Sequence, residues 1–208
     1  MDDKNERLIN LVKLIQEEYA EEHYIYAIPG FLSRNFNAYC SMKQDLELLL
    51  KYIHEIVHGN HSDIIKSSLT YGIISLYGKC FTDASYYKSA KLESKYLFKD
   101  DSDNQKTHEY LMKLRHHFIA HRGDTESEVT VAFMLINKAD NIESQIRYKR
   151  LKRSGLSGEK LHEINNLAKY LISYLEERIQ KSGEKLNKAL FNLFSQEELS
   201  IMLMNNAK

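Results

Sequence analysis

The sequence predicts a mainly α-helical fold, an antiparallel helical bundle with a β-hairpin inserted before its last long helix. The chain of 208 residues contains one proline and eight glycines, so few positions interrupt a helix. Most apolar residues recur at steps of three and four, which places them on one face of a helix. This periodicity changes over 128–153, where β-branched and aromatic residues favour two strands.

The composition limits the classes of protein to which the chain can belong. With 208 residues, 43% of them hydrophobic, we expect one substantial core and a single domain over 1–208. Its 29 basic and 29 acidic residues exclude a global positive field, so any contact with nucleic acid must come from a local patch. Cys40 and Cys80 lack metal-ligand spacing, which argues against a disulfide framework or a structural zinc site.

The sequence also indicates where the protein resides. The charged N-terminal residues are followed by no apolar run of the signal-peptide kind. No stretch approaches the roughly 18 apolar residues that a membrane helix needs. We therefore expect a soluble, cytoplasmic protein that has no contact with a membrane.

The first predicted helices follow from apolar periodicity. A core-facing helix is expected over 41–58, where leucine and isoleucine recur at helical spacing with charged residues outside the apolar face. Ser62 is the expected N-cap of the next helix. That helix is apolar around most of its circumference between 69 and 81, which predicts a central, largely buried position.

Capping residues suggest where the later helices begin. Ser102 with Gln105 fits a capping box, which predicts a helix over 103–122. Ser157 is the expected cap of a long amphipathic helix that runs to about residue 183.

The segment between these two helices predicts the hairpin insertion. The stretches "EVTVAFMLI" and "IRYKRLKRS" have strand-forming composition and are separated by a polar loop. Around Tyr148 the second stretch carries five basic residues, namely Arg147, Lys149, Arg150, Lys152 and Arg153. They could bind RNA phosphates beside a stacking aromatic ring, or they could protect an edge strand against aggregation.

The helix that contains "LRHHFIAHRGD" carries an arginine on its apolar face. Helical spacing places Arg115 in the middle of the arc formed by Leu111, Leu114 and Phe118. Burying an unpartnered guanidinium costs several kcal/mol, so Arg115 must meet a carboxylate from another helix or a cleft that admits a charged ligand. His121 lies at the edge of this arc, in the last turn of the predicted helix.

The segment from Arg115 to His121 fits the R-x4-6-H motif of the HEPN superfamily, with a polar residue after the arginine. The chain over roughly residues 40–125 resembles abortive-infection-type HEPN proteins. This resemblance implies a helical bundle that forms a homodimer in which two such motifs face each other. It also implies a metal-independent endoribonuclease without cofactors, acting as a toxin or antiviral defence effector in a prokaryote.

The resemblance implies roles that suit the chemistry of these residues. A ribose 2′-hydroxyl would attack the adjacent phosphate and leave a 2′,3′-cyclic phosphate. His121 would move protons, since the histidine pKa lies near neutrality, and Arg115 would stabilise charge on the phosphoryl oxygens. His116, the polar residue after the arginine, and Arg122 are expected to support the site.

Other interpretations of the motif stay open. His117 and His121 have a metal-ligand spacing, but no glutamate follows the first histidine and no third ligand is evident, so we expect no metal. HEPN toxins paired with nucleotidyltransferase antitoxins carry a tyrosine where this chain has Gly123, which argues against that class of antitoxin. Another antitoxin or a defence-system protein could still be the partner. The alternative function is a catalytically inactive HEPN-like bundle that binds a protein or RNA, with Arg115 in a structural ion pair.

Overall fold

The computed structural model describes residues 3–19, 30–83, 89–116, 128–136, 144–152 and 155–193, together with the single positions 21, 23, 28, 86 and 198. Within these residues the protein is mainly helical, with a small two-stranded antiparallel sheet. The elements in chain order are α1 (Asp3–Tyr19), α2 (Gly30–His58), α3 (Asp63–Cys80), α4 (Ser94–Leu97), α5 (Ser102–Leu114), β1 (Glu128–Ile136), β2 (Ser144–Lys152) and α6 (Gly158–Leu193).

The chain divides into two compact units. The larger unit comprises 38–177, and the smaller comprises 1–37 with 178–208. The single domain expected over 1–208 stays a prediction. None of the helices that the structure describes is both long and apolar enough to cross a membrane.

The core of the larger unit is built from one apolar face of each long helix. Its completely enclosed side chains come from four helices and include Leu46, Leu49, Ile73, Ile74, Tyr77, Leu111, Ile164, Leu167, Leu171 and Leu175. Burial of each such side chain contributes about 1.5–3 kcal/mol, so these faces supply most of the driving force for packing. The helical periodicity of the sequence is therefore confirmed, and α2 begins at Gly30, earlier than the predicted 41–58.

The capping box predicted at Ser102 and Gln105 is wrong. The N-cap of α5 is Asp101, whose carboxylate accepts a hydrogen bond from the backbone N–H of Asn104 at 3.0 Å. The side chain of Gln105 instead donates forward to Glu109 at 2.6 Å. A carboxylate one residue before the serine reaches the same free N–H groups and also complements the positive end of the helix dipole, which favours Asp101.

The other predicted helix starts have different outcomes. Ser157 caps α6, since its Oγ accepts from the backbone N–H of Lys160 at 3.3 Å. Ser62 occupies the N-cap position of α3, but its side chain makes no capping hydrogen bond. Helix α6 continues to Leu193, beyond the predicted end near residue 183.

The predicted hairpin is present between α5 and α6. Its strands pair antiparallel in nine positions, from Glu128 opposite Lys152 to Ile136 opposite Ser144. From Thr130 to Ile136 every side chain is exposed. The two strands are therefore held by their own ladder, and none of the side chains at 130–136 and 145–149 belongs to the core of the unit.

Candidate functional site

Arg115 directly follows α5 and keeps helical backbone geometry. Its backbone N–H donates to the carbonyl oxygens of Leu111 and Met112, at φ −58° and ψ −48°. The helix widens into a π-type turn at Arg115 and His116. His121 and Arg122 lie outside the described residues, and so does the predicted end of this helix at residue 122.

The side chain of Arg115 packs against a glycine of α3. Gly78 is buried, and a Cβ there would overlap the Cδ of Arg115 and lie 2.7 Å from its Nε. Glycine at this position therefore leaves the space that the arginine side chain occupies. The arginine is half-buried, with its aliphatic part covered by the neighbouring helix.

None of the described residues forms an ion pair or a side-chain hydrogen bond with Arg115. The sequence allowed either a carboxylate partner from another helix or a cleft for a charged ligand. Among the described residues, the carboxylate partner is absent. A guanidinium carries five N–H donors in a planar fork, a geometry that suits binding of an anion in a partly desolvated position.

A buried histidine lies two turns before Arg115 on the same helix. A hydrogen bond of 2.8 Å joins Nδ1 of His108 to the hydroxyl of Tyr77. The rings of Phe81 and Phe98 lie 4.5 and 5.3 Å from the imidazole, centroid to centroid. Burial lowers the pKa of His108, with Glu109 opposing this effect. The group is thus a neutral polar contact that fixes α5 against α3 beside Gly78.

A second polar contact fixes α5 against α6. The Thr107 side chain is buried, and its Oγ1 donates to the carbonyl oxygen of Asp103 at 3.0 Å. It also lies 3.4 Å from a carboxylate oxygen of Glu163, which pairs with Lys160 at 2.7 Å. Helix α5 is therefore oriented on two sides before it reaches Arg115.

Sequence reasoning missed Tyr77 and Gly78 as part of this site. The available signal was the dipeptide Tyr77-Gly78 inside a largely apolar helix, since a glycine there indicates close approach of another group. The tyrosine hydroxyl in turn required a buried partner. The partner, His108, is 31 residues away in the chain, beyond the reach of local pattern.

The predicted basic surface lies on β2. Arg147 and Lys149 are exposed, with Tyr148 between them at 74% exposure. Arg147 donates to the side chain of Gln145 at 2.9 Å. By register, Arg150 is opposite Thr130 and Lys152 is opposite Glu128, whereas Arg153 lies outside the described residues.

The histidines of the motif are described only in part. His116 is exposed, while His117 lies with His121 outside the described residues. In the part of the chain that the structure describes, no three or more histidine, cysteine, aspartate or glutamate side chains are grouped so that they could hold a metal ion.

No family model, curated protein or solved structure matches the chain. The candidate site is therefore defined by its own geometry: a half-buried arginine that rests on Gly78, at the end of a helix that is anchored by His108 and Thr107.

Proposed function

We propose that the protein is a metal-independent endoribonuclease of the HEPN type, a homodimer that cleaves RNA by 2′-hydroxyl attack. In this proposal it acts as a toxin or antiviral defence effector and adopts the HEPN-like bundle that its motif implies. The observation that carries the proposal is the position of Arg115, half-buried and without an acidic partner among the described residues. A charged group held in this way suits a site for an anionic ligand.

Arg115 would bind the scissile phosphate. Its planar, permanently charged guanidinium can donate two parallel hydrogen bonds to phosphoryl oxygens and stabilise the additional charge of the transition state. The contact with Gly78 holds the stem of the side chain, so little conformational freedom would be lost on binding RNA. Lysine would retain the charge but lose the paired donors.

His121 would move the protons. The proposal takes this role from the R-x4-6-H motif, in which His121 follows Arg115 by six residues. An imidazole with a pKa near neutrality can accept the proton of the 2′-hydroxyl or protonate the leaving 5′-oxygen. In a homodimer, the two copies would supply one base and one acid, with His116 and Arg122 in supporting positions.

The basic strand β2 offers a second contact for RNA. Arg147 and Lys149 can reach phosphates, and the exposed ring of Tyr148 can stack on a base. Because the net charge of the chain is zero, such a patch would bind RNA locally and with a strong dependence on salt.

A second candidate function is a catalytically inactive protein that binds a partner. The exposure of large apolar side chains on the hairpin favours it, since Met134 is 56% and Ile136 is 57% exposed. Exposed apolar surface of this kind is typical of an interaction site. The two candidates differ in whether Arg115 is needed for cleavage of RNA.

The test is cleavage of a structured RNA and of a tRNA pool in the presence of EDTA. Wild type is compared with Arg115→Ala, Arg115→Lys and His121→Ala, and oligomeric state is measured for each. Lys113→Ala is the matched control, because this exposed lysine is two residues from Arg115 and outside the site. Cleaved ends are tested for the 2′,3′-cyclic phosphate.

Cleavage by wild type and Lys113→Ala, with loss on the order of 100-fold or more in Arg115→Ala and His121→Ala, would support the nuclease. Arg115→Lys is expected to lose most of the activity as well. Equal cleavage by all variants, or cleavage that EDTA abolishes, would contradict it. If wild type binds RNA or a protein without cutting, the binding function is favoured.

A further inference from the structure

The side chains of strand β1 are exposed from Thr130 to Ile136. Val131, Phe133 and Leu135 are 56%, 38% and 43% exposed, and Met134 on the opposite face is 56% exposed. A two-stranded hairpin is marginal in water, and a third strand or a packed face is usually needed for stability. Pairing with a further strand would therefore stabilise the hairpin and would cover its exposed apolar side chains.

The two edges of the hairpin differ in charge. Within the described residues the sheet consists of β1 and β2 alone, so the outer edge of each strand is unpaired. Strand β2 carries four basic residues among its nine, namely Arg147, Lys149, Arg150 and Lys152. Strand β1 carries one charged residue among its nine, Glu128, at its beginning. Charged side chains discourage pairing at an edge, so β1 offers the edge that is open to another strand.

We propose that β1 pairs antiparallel with β1 of a second copy, forming a four-stranded sheet with the basic β2 strands at its outer edges. A two-fold axis at Ala132, the middle residue of Glu128–Ile136, keeps all nine positions paired. The smallest side chain of the strand then lies opposite its own equivalent. Val131 lies opposite Phe133 of the second copy, a β-branched and aromatic pair of the kind that stabilises sheets.

The charges of the two strands favour pairing of two copies through β1 and disfavour pairing through β2. In the symmetric β1 arrangement, Glu128 is opposite Ile136 of the second copy, so no like charges meet. The same construction for β2 centres on Tyr148 and places Arg147 opposite Lys149 of the second copy, which is destabilising. The surface is independent of the proposed nuclease activity, because it uses neither Arg115 nor His121.

Disulfide cross-linking between introduced cysteines tests the register of this pairing. All variants are made in the 208-residue chain that carries Cys40→Ser. The remaining native thiol, Cys80, is completely buried, and burial raises its pKa to about 12, so it does not interfere. Residues directly opposite each other in an antiparallel pair have Cα atoms about 4.5–5.5 Å apart, within reach of a disulfide. Ala132→Cys is therefore expected to form an intermolecular disulfide on mild oxidation.

Thr130 supplies the matched control. In the proposed register it is opposite Met134 of the second copy, and the two Thr130 positions are roughly 13 Å apart. Thr130→Cys alone should not cross-link, whereas a mixture of Thr130→Cys with Met134→Cys should. Absence of the Ala132→Cys disulfide, or equal cross-linking by Thr130→Cys alone, would overturn the proposal.

Light scattering at a series of concentrations gives an independent readout. Ala132→Lys places two lysines opposite each other at the axis and should lower the association state of the protein, with unchanged helical circular dichroism. Tyr148→Lys adds the same charge directly across the hairpin, on β2, and should keep the association state of the wild type. An Ala132→Lys variant with the same association state as the wild type, or a wild type that is monomeric throughout, would contradict the pairing even if the protein cleaves RNA.

Discussion

At the scale of single residues, Gly78 and Arg115 form a contact whose geometry can be tested without any assumption about function. A methyl group at Gly78 would overlap the arginine side chain, so Gly78→Ala must displace it. Such overpacking typically costs about 1–3 kcal/mol, against a gain of roughly 0.5–1 kcal/mol in helix propensity. We expect Gly78→Ala to destabilise the wild type but to stabilise the Arg115→Ala variant, as measured by urea unfolding.

The control for this double-mutant cycle is Gly183→Ala in α6, where the added Cβ would lie 3.5 Å from Phe36, an ordinary contact. It should be neutral or stabilising in both backgrounds. If Gly78→Ala has the same effect with and without the arginine, the two side chains are not coupled. In an active nuclease, Gly78→Ala should also reduce cleavage, by up to about 100-fold, because Arg115 is misplaced.

His108 makes the stability of the protein depend on pH. Burial lowers its pKa, so the folded protein keeps the imidazole neutral where the unfolded chain takes up a proton. Its contribution is therefore complete above the unfolded pKa of about 6.5 and is lost as the pH falls below that value. We expect the difference in unfolding free energy between about pH 7.5 and about pH 5 to shrink in His108→Leu.

Tyr77→Phe separates the hydrogen bond from the burial of the ring. It removes the hydroxyl that lies 2.8 Å from Nδ1 and leaves the imidazole without that partner. A buried polar group without its partner costs about 1–3 kcal/mol, so we expect a loss of this size at neutral pH. An unchanged unfolding free energy would mean that another group replaces the hydroxyl.

At the scale of secondary-structure elements, the start of α5 distinguishes two adjacent capping residues. The carboxylate of Asp101 accepts hydrogen bonds from the backbone and the side chain of Asn104, at 3.0 and 2.7 Å. Asp101→Ala should therefore cost about 1 kcal/mol of unfolding free energy. Ser102→Ala is the control and should change stability by less than about 0.5 kcal/mol. A larger loss of unfolding free energy in Ser102→Ala than in Asp101→Ala would mean that Ser102 caps the helix, as the sequence predicted.

At the scale of the whole molecule, we expect the core and the hairpin to be energetically separable. The core uses α2, α3, α5 and α6, while the described hairpin side chains are exposed. Replacing 128–152 by a short flexible linker should therefore change the unfolding free energy of the chain by less than about 1 kcal/mol. The reference is the Ala132→Lys variant, because it keeps the hairpin but lacks the proposed pairing of β1 between two copies. A large loss of stability on deletion alone would show that the hairpin packs on the helices.

The sequence by itself determined the helical class, the hairpin and the cap at Ser157, because each depends on residues that are neighbours in the chain. Apolar side chains at steps of three and four lie on one helix face in any context. The same local pattern placed the charged Arg115 on an apolar helix face. It did not determine which groups of other helices contact the arginine.

The tertiary structure alone decided which groups meet Arg115 and His108. Gly78 and Tyr77 belong to α3, more than 30 residues earlier, and no local periodicity links them to α5. It also decided between Asp101 and Ser102, since both are good capping residues and the path of the chain into the helix selects one. The exposure of both hairpin faces is likewise a tertiary property, because strand composition indicates pairing within the hairpin and says nothing of what covers it.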